Sequence, residues 1–158
     1  MPRSDERFGS AARELGLDPD IHRFPAGTRT AEDAAAAIGC AVGQIVKSLV
    51  FVADEEPFLA LTAGSNRADP ERLAALLGAG GVRRATAEEA REATGYAIGG
   101  TPPFGHSRPL VVFVDRDLLS HREVWAAAGT PETVFPLAPE SLVRLTGGTV
   151  ADFKETRP

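Results

Sequence analysis

Apolar positions change their period several times along the chain, and each change marks an element. From Ser4 to Leu15 they recur at helical spacing, with Phe8, Ala11, Ala12 and Leu15 on one stripe and Gly16 near its end. Ile21-His22-Arg23-Phe24 is a short strand candidate. Thr30-Ala31-Glu32-Asp33 has the capping-box pattern, in which a hydroxyl meets free amides and a carboxylate returns the bond. The alanine-rich helix behind it is expected to stop at Gly39. Ile45-Val46-Lys47-Ser48-Leu49-Val50-Phe51-Val52 is β-branched and aromatic with both faces apolar, the pattern of an interior strand. Phe58-Leu59-Ala60-Leu61-Thr62 follows across the hairpin-like connection Asp54-Glu55-Glu56-Pro57.

Asp69, with Pro70 in the first turn, opens a helix to about Leu77, and Val82-Arg83-Arg84 is short and extended. A second capping box, Thr86-Ala87-Glu88-Glu89, starts a helix that ends before Gly95. Leu110 to Val114 is a strand closing at Asp115, and Glu123 to Ala128 fits either helix or strand. Thr133 to Leu137 reads as a strand and Pro139 to Leu145 as a short helix, with an extended tail through Phe153. Helices and strands mix without strict alternation, and several strands have short connections. The fold class is therefore α+β (mixed α/β): one compact domain over residues 1–158, with a central curved mixed sheet flanked by helices.

Composition agrees with this picture. At 158 residues, 43% hydrophobic and 25% charged, the chain has the profile of one soluble globular domain. No apolar run reaches the length of a membrane span, and the opening residues have no signal-peptide core, so no membrane partner is expected. Cys40 is the only cysteine, which excludes an internal disulfide and points to a reducing, cytoplasmic setting. The net charge of −5, from 17 basic and 22 acidic residues, argues against broad charge-driven binding of nucleic acid. It leaves room for a grip on one end of such a molecule, for which Arg67, Arg83 and Arg84 are the local basic candidates.

The chain has no G-x-S-x-G elbow, no P-loop and no dinucleotide fingerprint, and its three histidines lack the spacing of a metal site. Two features stand out. Lys47 sits inside an apolar strand, where it must either snorkel to an edge or meet an anionic group. Gly99-Gly100-Thr101-Pro102-Pro103-Phe104-Gly105-His106 is a loop whose glycines permit close approach to the backbone and whose prolines stiffen it. Fixed N–H groups there could cradle a carbonyl oxygen or a phosphate, and His106, closing the loop, is a candidate lining residue.

Three ordered stretches carry a family resemblance: Val42 to Phe51, Gly64-Ser65-Asn66-Arg67-Ala68-Asp69, and Thr94 to Gly105, with Leu142 to Phe153 matching the family's end. Together they resemble the YbaK/ProX family of aminoacyl-tRNA deacylases, related to the editing insertion of bacterial prolyl-tRNA synthetase. The family's functional lysine falls on Lys47 and its G-x-x-x-P loop on Gly99 to Pro103, with Gly100, Thr101 and Pro102 between. Thr30 corresponds to a threonine opening the helix before the lysine strand, and Gly129 and Thr130 occupy the place where members differ in substrate choice. The resemblance implies a freestanding trans-editing hydrolase that cleaves the ester of a mischarged aminoacyl-tRNA, a small amino acid on tRNA for proline or a similar tRNA. Lys47, Gly99, Gly100 and Thr101 would be catalytic, and Thr30, Pro102, Pro103, Phe104, His106, Gly129 and Thr130 would bind substrate. The loop amides would stabilise the oxyanion, with attack assisted by the substrate, and no metal or organic cofactor is implied. Its partners would be the acceptor end of aminoacyl-tRNA and a tRNA synthetase. The alternative is a non-catalytic module that binds the acceptor end or a synthetase.

Overall fold

In a computed structural model, residues 3–25, 28 and 30–156 are described, and they form a mixed α/β fold round an eight-stranded sheet. Its longest strand, β2 (Ile45–Ala53), turns through Asp54 and Glu55 into β3 (Glu56–Ala63). Both turn residues have positive φ, 49° and 69°, the two-residue hairpin whose twist matches that of its strands. Pairing runs from Val46 against Ala63 to Ala53 against Glu56. Two other strands share the far edge of β2. β6 (Val124–Ala127) pairs in parallel with Ile45 and Val46, and β4 (Val82–Arg84) pairs antiparallel with Phe51 to Ala53. Between them, residues 47–50 have no ladder partner on that side among the described residues.

The sheet is completed by β5 (Val111–Asp115) beside β3, β8 (Thr149–Ala151) beside β5, β7 (Thr133–Leu137) beside β6, and β1 (His22–Arg23) beside β7. Helices cover both faces, which explains why β2 is apolar all round. Val46 and Val50 enter a cluster with Phe8 and Ala12 of α1 (Ser4–Glu14), Ala90 of α4 (Ala87–Thr94) and Leu142 of α5 (Pro139–Thr146). On the opposite face Phe51 joins Phe58, Phe113, Phe153 and Leu73 of α3 (Pro70–Leu77). Each such fully buried side chain contributes about 1.5–3 kcal/mol relative to exposure. α2 (Ala31–Ile38) rests Ala34 and Ala35 against Ile45 at the head of β2.

The two capping boxes differ. At Thr86 both bonds form, Thr86 Oγ1 accepting from the Glu89 amide at 3.1 Å and Glu89 Oε1 from the Thr86 amide at 2.9 Å. At Thr30 the hydroxyl accepts from the Asp33 amide at 3.0 Å, but no return bond forms, because aspartate is one methylene shorter than the glutamate that closes such a box. The ambiguous stretch at 123–128 contains strand β6. The tail is anchored by β8 and by Phe153, which is fully buried.

Candidate functional site

The interruption on the far edge of β2 opens a cavity of about 370 Å³. Successive side chains of a strand alternate between faces, so β2 supplies Lys47 and Leu49 to one side of the cavity and Val46, Ser48 and Val50 to the other. Thr28, Thr30 and Glu32 also line it, as do Ala85, Ala90, Ile98, Gly99 and Thr101. Lys47 and the glycine loop, more than fifty residues apart in sequence, therefore face one space.

Lys47 is half-buried, and its ammonium donates to the backbone carbonyl of Asn66 at 2.5 Å. The anionic partner expected for it is absent: among the described residues no carboxylate lies within ion-pair distance. A carbonyl satisfies one of its three N–H donors and leaves the charge uncancelled. Burial pushes its pKa below the ordinary lysine value, with Glu32 the largest opposing influence.

Asn66 is itself held. Its side-chain amide donates to Asp115 Oδ2 and to Asp117 Oδ2, each at 2.9 Å. Asp115 is buried at the end of β5, where Oδ2 also accepts from the Ala63 amide and Oδ1 from the Asp117 amide, both at 3.0 Å. Lys154 Nζ donates to Asp117 Oδ2 at 2.7 Å, and that bond together with the one from Asn66 keeps the Asp117 carboxyl below the usual carboxylate range. The sheet thus fixes Lys47 through Asp115 and Asn66.

The loop divides at Thr101. Gly99, at φ 91°, and Thr101 reach the cavity, and neither amide has an acceptor among the described residues. The Gly100 amide, unlike those two, donates to Ala97 O at 3.0 Å. An added Cβ on Gly100 would lie 2.7 Å from Thr130 Cα, whereas one on Gly99 would meet only Pro131 at 3.8 Å. Gly100→Ala is expected to cost about 1–3 kcal/mol by forcing the loop off Thr130, and to slow any chemistry that uses the Thr101 amide. Gly99→Ala has room and bears only the left-handed backbone strain of about 1–2 kcal/mol. Thermal melts and rates of the two variants side by side check this; a wild-type melt and rate for Gly100→Ala would contradict the packing argument.

The remaining expected contacts lie away from the cavity lining. Pro102 and Pro103 are buried, and Phe104 packs in the core between Phe8 and Phe135 at ring distances of 5.4 and 5.9 Å. Pro103, Phe104 and His106 line a different hollow, beside α1. His106 Nε2 bonds Pro102 O at 2.7 Å, and burial pushes its pKa below the ordinary histidine value, so a neutral imidazole staples the loop. Gly129, at φ 109°, is pressed against the backbone of Ser4, and Thr130 Oγ1 pairs with Thr133 Oγ1 at 2.8 Å. These residues brace the loop from behind because its prolines turn the chain inward after Thr101.

Several lining residues escaped the sequence reading. Glu32 has the sequence pattern of a helix start and nothing more, and Trp125 lies in the stretch that fits either helix or strand. Ile98, half-exposed at the cavity, immediately precedes the first loop glycine and was a legible signal. Of the basic candidates, Arg84 lines the cavity and stacks over Phe51, Arg83 is engaged by Glu89 at 2.8 Å, and Arg67 is exposed beside Glu155. Ser48 Oγ is buried with no hydrogen-bond partner among the described residues, a state that costs about 1–3 kcal/mol when left unmet. No cluster of three or more His, Cys, Asp or Glu able to hold a metal occurs among the described residues, nor any helix long and apolar enough to cross a membrane.

Residues 25–145 match the family model described as "Aminoacyl-tRNA editing domain". A crystal structure described as "a putative trans-editing enzyme for prolyl tRNA synthetase" superposes with a TM-score of 0.92 and 48% identity, over 98% of this chain and 99% of that one. The proline–tRNA ligase of Nitratidesulfovibrio vulgaris (strain DP4) is 37% identical over 92 residues, 58% of this chain and 16% of the ligase, so the chain matches only a small part of that enzyme's length. From Enterococcus faecalis, the "Putative Cys-tRNA(Pro)/Cys-tRNA(Cys) deacylase EbsC" is 28% identical over 124 residues, 78% of this chain and 76% of that protein.

Proposed function

Because the chain belongs to the aminoacyl-tRNA editing domain family, we propose that it is a freestanding trans-editing deacylase, acting on the ester between a mischarged amino acid and the terminal ribose of tRNA. The observation that carries this reading is that Lys47, with its uncancelled charge, and Gly99 and Thr101, whose amides have no acceptor among the described residues, line one cavity. An aminoacyl ester is already activated, so its hydrolysis needs charge stabilisation more than a covalent nucleophile. Lys47 holds the ester carbonyl or a nearby phosphate as a point charge, and the two loop amides face the oxyanion formed when water or a ribose hydroxyl attacks. Thr30 contributes a hydroxyl to the cavity wall while capping α2. The near end-to-end match to a chain described as a trans-editing enzyme supports both the freestanding character and the assignment of 1–158 to one editing domain. The proposed partner is the acceptor end of a tRNA, with prolyl-tRNA synthetase as the enzyme whose errors are corrected, in the cytoplasm. The uncancelled carboxylates of the surface, which give the net charge of −5, fit contact at one end of the tRNA better than along its length.

A panel of aminoacyl-tRNAs assayed beside free amino-acid esters tests the reading: selective cleavage of tRNA esters supports it, and equal cleavage of all esters makes the protein a general esterase. The lysine gives a second, pH-dependent signature. The ammonium form is required, and burial lowers the folded pKa, so activity is retained below that value and lost as pH rises through it. The alkaline limb of the rate profile, corrected for uncatalysed hydrolysis, is expected to lie below the pH at which an exposed lysine deprotonates. Lys47→Arg, charged throughout, is expected to remove that limb; a limb that stays in place would assign it to another group.

A further inference from the structure

One residue in the gap of the sheet has backbone groups that serve no element. Gly64 N–H donates to Ile45 O at 2.7 Å across the β2–β3 hairpin, and Ala85 N–H donates to Val50 O at 3.0 Å on the opposite edge. In an antiparallel ladder a residue turns its N–H and C=O to the same side, and successive residues alternate. Odd-numbered residues of β2 therefore bond to β3, and even-numbered ones face the other edge. There Val46 is paired with β6 and Val52 with β4. Among the described residues Ser48, between them, has no partner on that side, so its N–H and C=O, with the N–H of Val50, are left over at the cavity that both residues line. The Ser48 hydroxyl is buried and has no partner among the described residues either. Backbone groups of a strand interior are nearly always paired, and here a donor and an acceptor without a partner among the described residues stand side by side on one strand.

We propose that Ser48 holds the aminoacyl group by its backbone: its C=O accepts from the substrate's α-ammonium, and its N–H donates to the ester carbonyl oxygen. This deepens the deacylase reading and rests on it. An α-aminoacyl ester presents a donor and an acceptor across one Cα, as a strand residue does, so it docks as a one-residue extension of the sheet. The ester oxygen has a second lone pair, free for a loop amide of Gly99 or Thr101. The substrate class is then narrower than aminoacyl esters at large. It requires a free α-amine and excludes N-acylated esters, in which the charge is gone and an acyl group stands where the nitrogen meets Ser48 O.

The test takes whichever aminoacyl-tRNA of the panel is cleaved fastest and compares it with its α-hydroxy counterpart, made by nitrous acid deamination, and its N-acetyl counterpart. Each rate is divided by that ester's own uncatalysed rate, because an α-ammonium activates the ester intrinsically. Both derivatives are expected to lose about 10-fold or more of the acceleration, the size of one charge-assisted hydrogen bond. Equal accelerations for all three would overturn the inference while leaving the deacylase reading intact. If no aminoacyl-tRNA is cleaved, both fall together. Ser48→Ala keeps the N–H and C=O in place and is expected to preserve the ranking of the three esters; loss of that ranking would move the role to the hydroxyl and overturn the backbone assignment.

Discussion

Lys47→Ala is expected to slow deacylation by about 10²-fold or more, as removal of a single preorganised electrostatic donor commonly does, with little change in melting temperature. The two effects separate because of how the lysine is held. It makes one hydrogen bond, to the Asn66 carbonyl, and no ion pair within reach of the described residues. Its removal therefore strands no buried counter-charge, and relief of its desolvation offsets the lost bond. In the proposed reaction the same uncancelled charge would face an oxygen that turns anionic in the transition state, where its absence would be fully felt. Single-turnover rates and thermal melts of wild type, Lys47→Ala and Lys47→Met measure both effects, the methionine keeping the packing of the stem. An unchanged rate would make the charge structural.

Asp115→Ala is expected to cost about 3 kcal/mol or more, because it removes an acceptor shared by three donors in a buried site and leaves those donors unmet. The donors are the amides of Ala63 and Asp117 and the side chain of Asn66. Activity is expected to fall as well, since Asn66 freed from Asp115 no longer fixes the carbonyl that positions Lys47. Asp115→Asn keeps the shape and one acceptor oxygen and is expected to fall between wild type and alanine. A urea titration reads this as a lowered midpoint with an unchanged slope, and an alanine variant as stable as wild type would contradict the network.

Why these two residues were unequally visible in the sequence is a matter of distance along the chain. Lys47 stands out locally, as an ammonium in an apolar run, and the family resemblance points to the same residue. Its partner was illegible: a backbone carbonyl 19 residues on, presented by the turn after β3, took the role expected of a carboxylate. Asp115 reads only as the end of a strand; its function depends on β5 lying beside β3, a parallel pairing that no local pattern specifies. β2, β3 and β5 were clear because strands covered on both faces are apolar throughout. β6 was not, since Ala126 and Ala127 have weak strand preference and the strand is fixed by pairing with Ile45 and Val46. The loop was found, but its division was hidden, because the inward turn at Pro102 and Pro103 depends on the packing of Phe104 against Phe8. The gap at Ser48 lay beyond reach for the same reason as Asp115, being defined by where two distant strands stop.

Catalytic removal of an amino acid from tRNA is expected at the Lys47 cavity. Purified protein, at a small fraction of the substrate concentration, is incubated with mischarged tRNAs, and released amino acid is counted per molecule of protein. The expected result is many turnovers on at least one aminoacyl-tRNA and almost none with Lys47→Ala. Stoichiometric binding without release, or turnover that Lys47→Ala leaves untouched, would contradict it.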